Sequence, residues 1–289
     1  MYRILLCFVG WIWGFVVLCI GVVAAQDEMA ESPTHQKVVT YLAERLNDQR
    51  LQLTAPADAK VTLGTAPIFR VNNPISGADG GVFVWVSDGK PVALSKSLLN
   101  SKKRIYSLTT VSLWPDTFSM TQPDGTIWEP KSSTLTPIML TDEPPPTDQA
   151  SKRLMQMKGL AESFSIEVTW QISIVEPTSV YVLRMLPRPI YRYTSERFGV
   201  VDGALFAFCQ GTNPEAIVQV EAIRSDDGLE WRCGVSRLTS HALKAQYRKN
   251  EVLKAVSISN YRPQRHDNYF NNQLNYPKDF DPAPAPNPQ

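Results

Sequence analysis

The sequence predicts an α+β fold, mainly antiparallel β in a meander or sandwich-like arrangement, with an N-terminal amphipathic helix and one central helix. Three observations carry this. Short β-branched and aromatic runs alternate with polar residues and stop at Gly, Pro, Asn or Asp. Only 33–50 and 150–164 repeat apolar residues at helical spacing. The stretch 203–248 strings one alternating run after another, as a meander with one wet face does.

The chain opens with Met1-Tyr2-Arg3, a short positive start. Ile4 to Ala24 is uncharged and almost wholly apolar, Val23-Ala24-Ala25 is small, and Gln26-Asp27-Glu28 is polar. This three-part layout predicts a signal peptide over 1–25. The alternative is an uncleaved anchor, since about 20 apolar residues can span a bilayer. Either way Arg3 stays inside and Asp27, Glu28 and Glu31 lie beyond the membrane. The bulk is therefore expected outside the cytoplasm, periplasmic or secreted, with no membrane contact except through this segment.

Residues 26–255 read as a single β-rich domain, with 141–150 as the place where two subdomains would divide. Pro33 suits a first helical position, and Val38, Leu42 and Leu46 follow four apart, so 33–50 should dock as a helix. Ile68–Val71 is a strand closed by Asn72-Asn73-Pro74. Gly81–Val86 leads through an Asp88-Gly89 hairpin turn into Pro91–Leu94. Ile105–Leu113 is the next strand, and a Pro123-Asp124-Gly125 turn precedes Thr126-Ile127-Trp128. Pro144-Pro145-Pro146 cannot continue a ladder and reads as an extended linker.

In the central helix Leu154, Met157, Leu160 and Phe164 make one apolar stripe, with the methionines as core filler. Ile166–Val175 and Ser179–Leu186 are strands, and Pro187 and Pro189 break the pairing. Gly203–Cys209 is apolar on both faces and should be central. Ala216–Arg224 follows, then an Asp226-Asp227-Gly228 turn. Beyond it Leu229, Trp231, Cys233 and Val235 share a face, and Leu243, Ala245 and Tyr247 continue the alternation. Periodicity stops near 256, and the Pro- and Asn-rich stretch 256–289 is expected to be a disordered tail.

Formal net charge is +1, and Arg3 contributes to it, so the exported portion is close to neutral. That argues against broad nucleic-acid binding, which needs clustered positive charge. No cofactor is expected, since no phosphate loop and no GxGxxG occur. No metal is expected either: His35, His241 and His266 are scattered, with no HExxH and no CxxC. No GxSxG marks a serine hydrolase. Ser95-Lys96 and Ser101-Lys102 are adjacent pairs, which a strand points to opposite faces. Asp202, Glu215 and Glu221 are the carboxylates available to an alternative reading, a hydrolase of envelope polysaccharide or peptide. Cys209 and Cys233 remain after the signal, either as a disulfide in an oxidising compartment or as two buried thiols.

The segment Arg184 to Arg197 is the leading candidate for ligand binding. Arginine forks grip carboxylate and phosphate, and tyrosine offers a flat rigid contact. Arg188, Tyr191, Arg192 and Tyr193, stiffened by Pro187 and Pro189, could dock an anionic polymer or an envelope protein. The competing reading is internal, with these arginines neutralising Glu167, Glu176, Asp202 or Glu221. A non-enzymatic exported protein with a binding or structural role follows as the favoured expectation.

Several pieces also resemble an uncharacterised family of exported proteins of planctomycete bacteria. They are Val71-Asn72-Asn73-Pro74, Gly81-Val82-Phe83-Val84-Trp85, Arg153-Leu154-Met155-Gln156-Met157, Leu186-Pro187-Arg188-Pro189-Ile190-Tyr191-Arg192-Tyr193, Asp202-Gly203-Ala204-Leu205-Phe206-Ala207-Phe208 and Gly211-Thr212-Asn213-Pro214-Glu215. The resemblance covers roughly half the chain, within 67–113 and 151–248. It implies a bacterial envelope protein and brings no catalytic residue.

Overall fold

Side-chain alternation gives every strand two faces, and this fold buries both faces of its two principal sheets. A computed structural model describes residues 33–73, 76–140, 142–170, 178–258, 264–265, 268–275, 277 and 280. The expected signal segment 1–25 lies outside these residues, and no helix among them is long and apolar enough to cross a membrane.

The first principal sheet holds β2 (Val61–Leu63), β3 (Phe69–Asn73), β4 (Ala78–Ser87), β5 (Lys90–Asn100), β6 (Ile105–Ser112), β19 (Gln264–Arg265) and β20 (Tyr269–Asn275). Its order is β19-β20-β6-β5-β4-β2, with β3 also on β4. The second holds β9 (Thr136–Ile138), β12 (Arg184–Met185), β13 (Tyr191–Ser195), β14 (Val200–Gln210), β15 (Asn213–Ser225) and β16 (Gly228–Arg237). Its order is β12-β14-β15-β16-β9, with β13 also on β14. All of these pairings are antiparallel.

The two sheets share a core in which Val82, Val84, Leu94 and Val111 meet Leu205, Ala207, Ile217 and Ile223. The outer face of the first sheet is covered by α1 (Pro33–Asn47) and a small sheet of β1 (Arg50–Leu53), β7 (Phe118–Thr121) and β8 (Ile127–Trp128). Val38, Leu42 and Leu46 of α1 are buried there with Phe83, Trp85 and Trp128. Each such side chain contributes about 1.5–3 kcal/mol.

The outer face of the second sheet is covered by α2 (Ala150–Glu162). Beside α2 lies a sheet of β10 (Phe164–Trp170), β11 (Ser179–Val182), β17 (Ala242–Tyr247) and β18 (Asn250–Ala255), in the order β11-β10-β17-β18. Met157, Leu160 and Phe164 are buried there with Phe206, Phe208, Val218 and Val220. The helix stops at Glu162, so the fourth residue of its apolar stripe belongs to β10 yet reaches the same core.

The Asp88-Gly89 turn joins β4 to β5, with φ of 46° and 81° at its two residues, as a type I′ hairpin requires. A side chain at Gly89 would stand 2.4 Å from the Thr194 carbonyl oxygen, so glycine also permits close approach to β13. The Ser195 hydroxyl donates to the Asp88 carbonyl at 2.6 Å and fastens the turn there.

Two expectations are corrected, and the open alternative at the cysteines is decided. The proline stretch does not divide the domain into subdomains: the described residues fall in one unit, and the prolines lie as a strap along it. Trp231 Nε1 donates to Pro144 O at 2.9 Å, Gln156 Nε2 to Pro145 O at 3.0 Å, and Arg153 Nη1 to Thr147 O and Asp148 O at 3.0 and 2.7 Å. Proline removes ladder donors, but its carbonyls still accept, so side chains can hold the strap.

The stretch from 256 is not all tail. Residues 269–275 pair antiparallel with β6, and Tyr269 and Phe270 are fully buried. These two adjacent aromatics enter different cores, as neighbours on a strand must. Residues 281–289 lie outside the described residues.

Cys209 and Cys233 are free and buried. Cys209 belongs to the core between the sheets and Cys233 to the core under α2, so their side chains leave the sheet on opposite faces and cannot bridge. Burial pushes both thiols up to about 12. Iodoacetamide should therefore label neither in the native protein and both after denaturation, as intact mass would show.

Candidate functional site

Strand alternation divides the arginine–tyrosine segment. Tyr191 and Tyr193 on β13 lie opposite Leu205 and Gly203, whereas Arg192 lies opposite Ala204. The tyrosines therefore turn to the core between the sheets and Arg192 to the side of α2. The four expected residues do not form one surface. Arg188 stands exposed before β13, Tyr191 is half-buried and stacked on Tyr193, and Tyr193 is buried.

On the α2 side Arg192 meets Asp202, which is 2% exposed. Arg192 Nε and Nη2 donate to the two Asp202 oxygens at 2.8 and 2.7 Å, a bidentate fork. Arg153 from α2 donates through Nε to the same carboxylate at 3.2 Å. The Asp202 bonds hold Arg192 above the usual guanidinium pKa. Arg192 Nη2 also donates to Ala150 O at 3.0 Å, tying the start of α2 to β13.

A cleft of about 350 Å³ opens here, lined by Ala150, Arg153, Arg192, Tyr193, Thr194, Val201 and Asp202. Two guanidinium groups face one carboxylate, which leaves an excess of one positive charge. The Arg192 side chain is 38% exposed, so a portion of its fork remains open to solvent.

Beneath the cleft, the other face of β13 feeds a buried polar cluster. Tyr193 donates to Glu221 Oε1 at 2.7 Å, and Gln219 Nε2 donates to the Tyr193 oxygen and to Glu221. Lys90 from β5 donates to both Glu221 oxygens at 2.9 and 3.1 Å. Burial, aided by the Glu221 charge, holds the Tyr193 phenol well above its ordinary pKa. The Tyr193 ring lies over Gly203, where a side chain would come within 2.5 Å of it.

The three candidate carboxylates of the hydrolase reading are thus not gathered in one cleft. Asp202 faces α2, while Glu215 and Glu221 face the first sheet, each beside its own lysine, Lys96 or Lys90. His241 stacks on Trp170 at 4.9 Å, and burial lowers its pKa. His35 on α1 pairs with Asp79 of β4, and His266 lies outside the described residues. Among the described residues no His, Cys, Asp and Glu group has metal-site geometry.

Sequence reading missed Arg153, although a signal was present. Arg153, Met157 and Ala161 recur at four-residue spacing, which places the arginine on the buried stripe. A charge on an apolar face needs a buried partner.

Fold and cleft define a two-sheet β protein with covering helices and a half-open arginine site over a buried acid. Comparison with family models, curated proteins and solved structures finds no match.

Proposed function

We propose that this chain is a non-enzymatic exported protein of the bacterial envelope that binds an acidic group of a polymer or partner protein at the Arg192 cleft. The observation that supports this reading is the unequal charge: Arg153 and Arg192 share the single carboxylate of Asp202, and Arg192 remains accessible. An incoming carboxylate would complete the neutralisation through Arg192 Nη1, the nitrogen of the fork that neither Asp202 nor the Ala150 carbonyl engages. Helix α2 starts at the cleft and carries no acidic residue in its first turn, so its end favours an anion as well. The resemblance to exported planctomycete proteins fits the same compartment.

The test is binding of poly-glutamate to immobilised folded protein, with envelope extract as a second analyte. Replacing Arg192 with alanine should weaken capture at least tenfold and flatten its salt dependence, while circular dichroism stays unchanged. Equal capture by the Arg192→Ala variant overturns the cleft as the binding site.

A further inference from the structure

The segment Gly211-Thr212-Asn213-Pro214-Glu215 opens β15 from a tight turn, and Asn213 and Glu215, two apart on a strand, point to the same face. That face looks at Lys96 of β5 in the opposite sheet. Lys96 Nζ donates to Asn213 Oδ1 at 3.2 Å and to the Pro214 carbonyl at 3.0 Å. Asn213 Nδ2 donates to Glu215 Oε1 at 2.5 Å. The second Glu215 oxygen is buried without a hydrogen-bond partner and lies 4.0 Å from Lys96 Nζ. Lys96 is 7% exposed and Glu215 is 1% exposed. The amide orientation follows from its neighbours, because an ammonium only donates and a carboxylate only accepts.

From this arrangement we propose that Lys96 and Asn213 join in an intramolecular isopeptide bond, with Glu215 moving the proton, so that the two principal sheets become covalently tied. The chemistry needs an amine, an amide carbon within reach, and a group to carry protons in a site shielded from water. Lys96 and Glu215 are buried, Asn213 is half-buried above them, and the amine already touches the amide at its oxygen, one bond from Cγ. Held in contact, amine and amide react as one molecule, and such positioning removes much of the barrier to a bimolecular step. Burial lowers the Lys96 pKa, which raises the share of neutral nucleophilic amine. The orphan Glu215 oxygen, costly for a simple buried pair, gains a use as the base next to that amine.

The step balances without an oxidant, reductant or co-reactant. Glu215 takes a proton from the Lys96 ammonium, and the freed amine attacks Asn213 Cγ, forming the Nζ–Cγ bond. Glu215 passes that proton to Nδ2, the Cγ–Nδ2 bond breaks, and the second Nζ proton follows through Glu215 to the departing ammonia. An ammonium and an amide become a secondary amide and an ammonium ion. The proposal does not rest on the arginine cleft.

The experiment is mass spectrometry of the folded full chain, intact and after tryptic digestion. The wild-type protein should be lighter than its sequence by one ammonia, and its digest should hold one branched peptide carrying both Lys96 and Asn213. Position matters, because an N-terminal Gln26 left by signal cleavage can also lose ammonia by cyclising. Glu215→Gln should lose the branched peptide. Asn213→Asp should form the same bond with loss of water instead, which no cyclised terminus would imitate. Folded wild-type protein giving Lys96 and Asn213 only in separate linear peptides overturns the proposal. So does an ammonia loss that maps elsewhere, and an undiminished branched peptide in Glu215→Gln overturns the role given to Glu215.

Discussion

Asp202→Ala should cost about 3–5 kcal/mol of folding stability, the range for a buried ion pair broken from one side. The carboxylate accepts from Arg192 twice and from Arg153 once, and it is 2% exposed. Without it Arg153, itself 7% exposed, keeps only the carbonyls of Thr147 and Asp148 as partners. A cation left in that position loses its hydration and gains nothing in return. Arg192→Ala is the informative contrast. It removes a partly exposed partner and leaves Asp202 paired to Arg153, so it should cost only about 1–3 kcal/mol.

Urea unfolding with a shared slope reads the difference directly. A second readout follows from the strap. Arg153 and Arg192 hold 147–150 to the sheet, so trypsin should cut after Lys152 much faster in Asp202→Ala under native conditions. Equal costs for the two variants would mean that Asp202 does not organise this end of α2.

Local chemistry made several elements of this fold readable, and non-local pairing hid the rest. Asp88-Gly89 and Asp226-Asp227-Gly228 announced hairpins because a turn depends on its own residues, and β4–β5 and β15–β16 meet there. Gly203–Cys209 read as a central strand because both faces are apolar, and β14 does lie inside the sheet. Which strands adjoin is another matter. Nothing near residue 270 indicates that Tyr269–Asn275 will extend the sheet at β6, because that contact closes over most of the chain.

The site shows the same division. Alternation alone separates Arg192 from Tyr191 and Tyr193, and the same rule dismissed Ser95-Lys96 as a dyad: Ser95 bonds Trp85 and Thr110 while Lys96 faces the other sheet. The partners of the charges were not legible. Lys90 and Glu221 are 131 positions apart, and only the packing of two sheets brings them together.

That pair supports the second large effect. Glu221→Leu should cost about 3–5 kcal/mol, since it strands the Lys90 ammonium between the sheets. Lys90→Met should cost a similar amount, because Glu221 would keep only Tyr193 and Gln219 as donors. The double variant should cost far less than the sum. Its two apolar side chains fill the same volume, and what remains is the Tyr193 hydroxyl deprived of its acceptor, worth about 1–3 kcal/mol even before Gln219 compensates.

A double-mutant cycle by urea unfolding should therefore return a coupling of about 3 kcal/mol or more, well beyond the ~0.5 kcal/mol of independent sites. Additive costs would place Lys90 in contact with water rather than in the core. A coupled result carries a further meaning. If ion pairing between the sheets can be replaced by apolar side chains at little cost, then Lys90 and Glu221 are not required for stability as such. Their value lies in register, since a one-residue slip of β15 would turn Glu221 away from Lys90 and leave two charges buried alone.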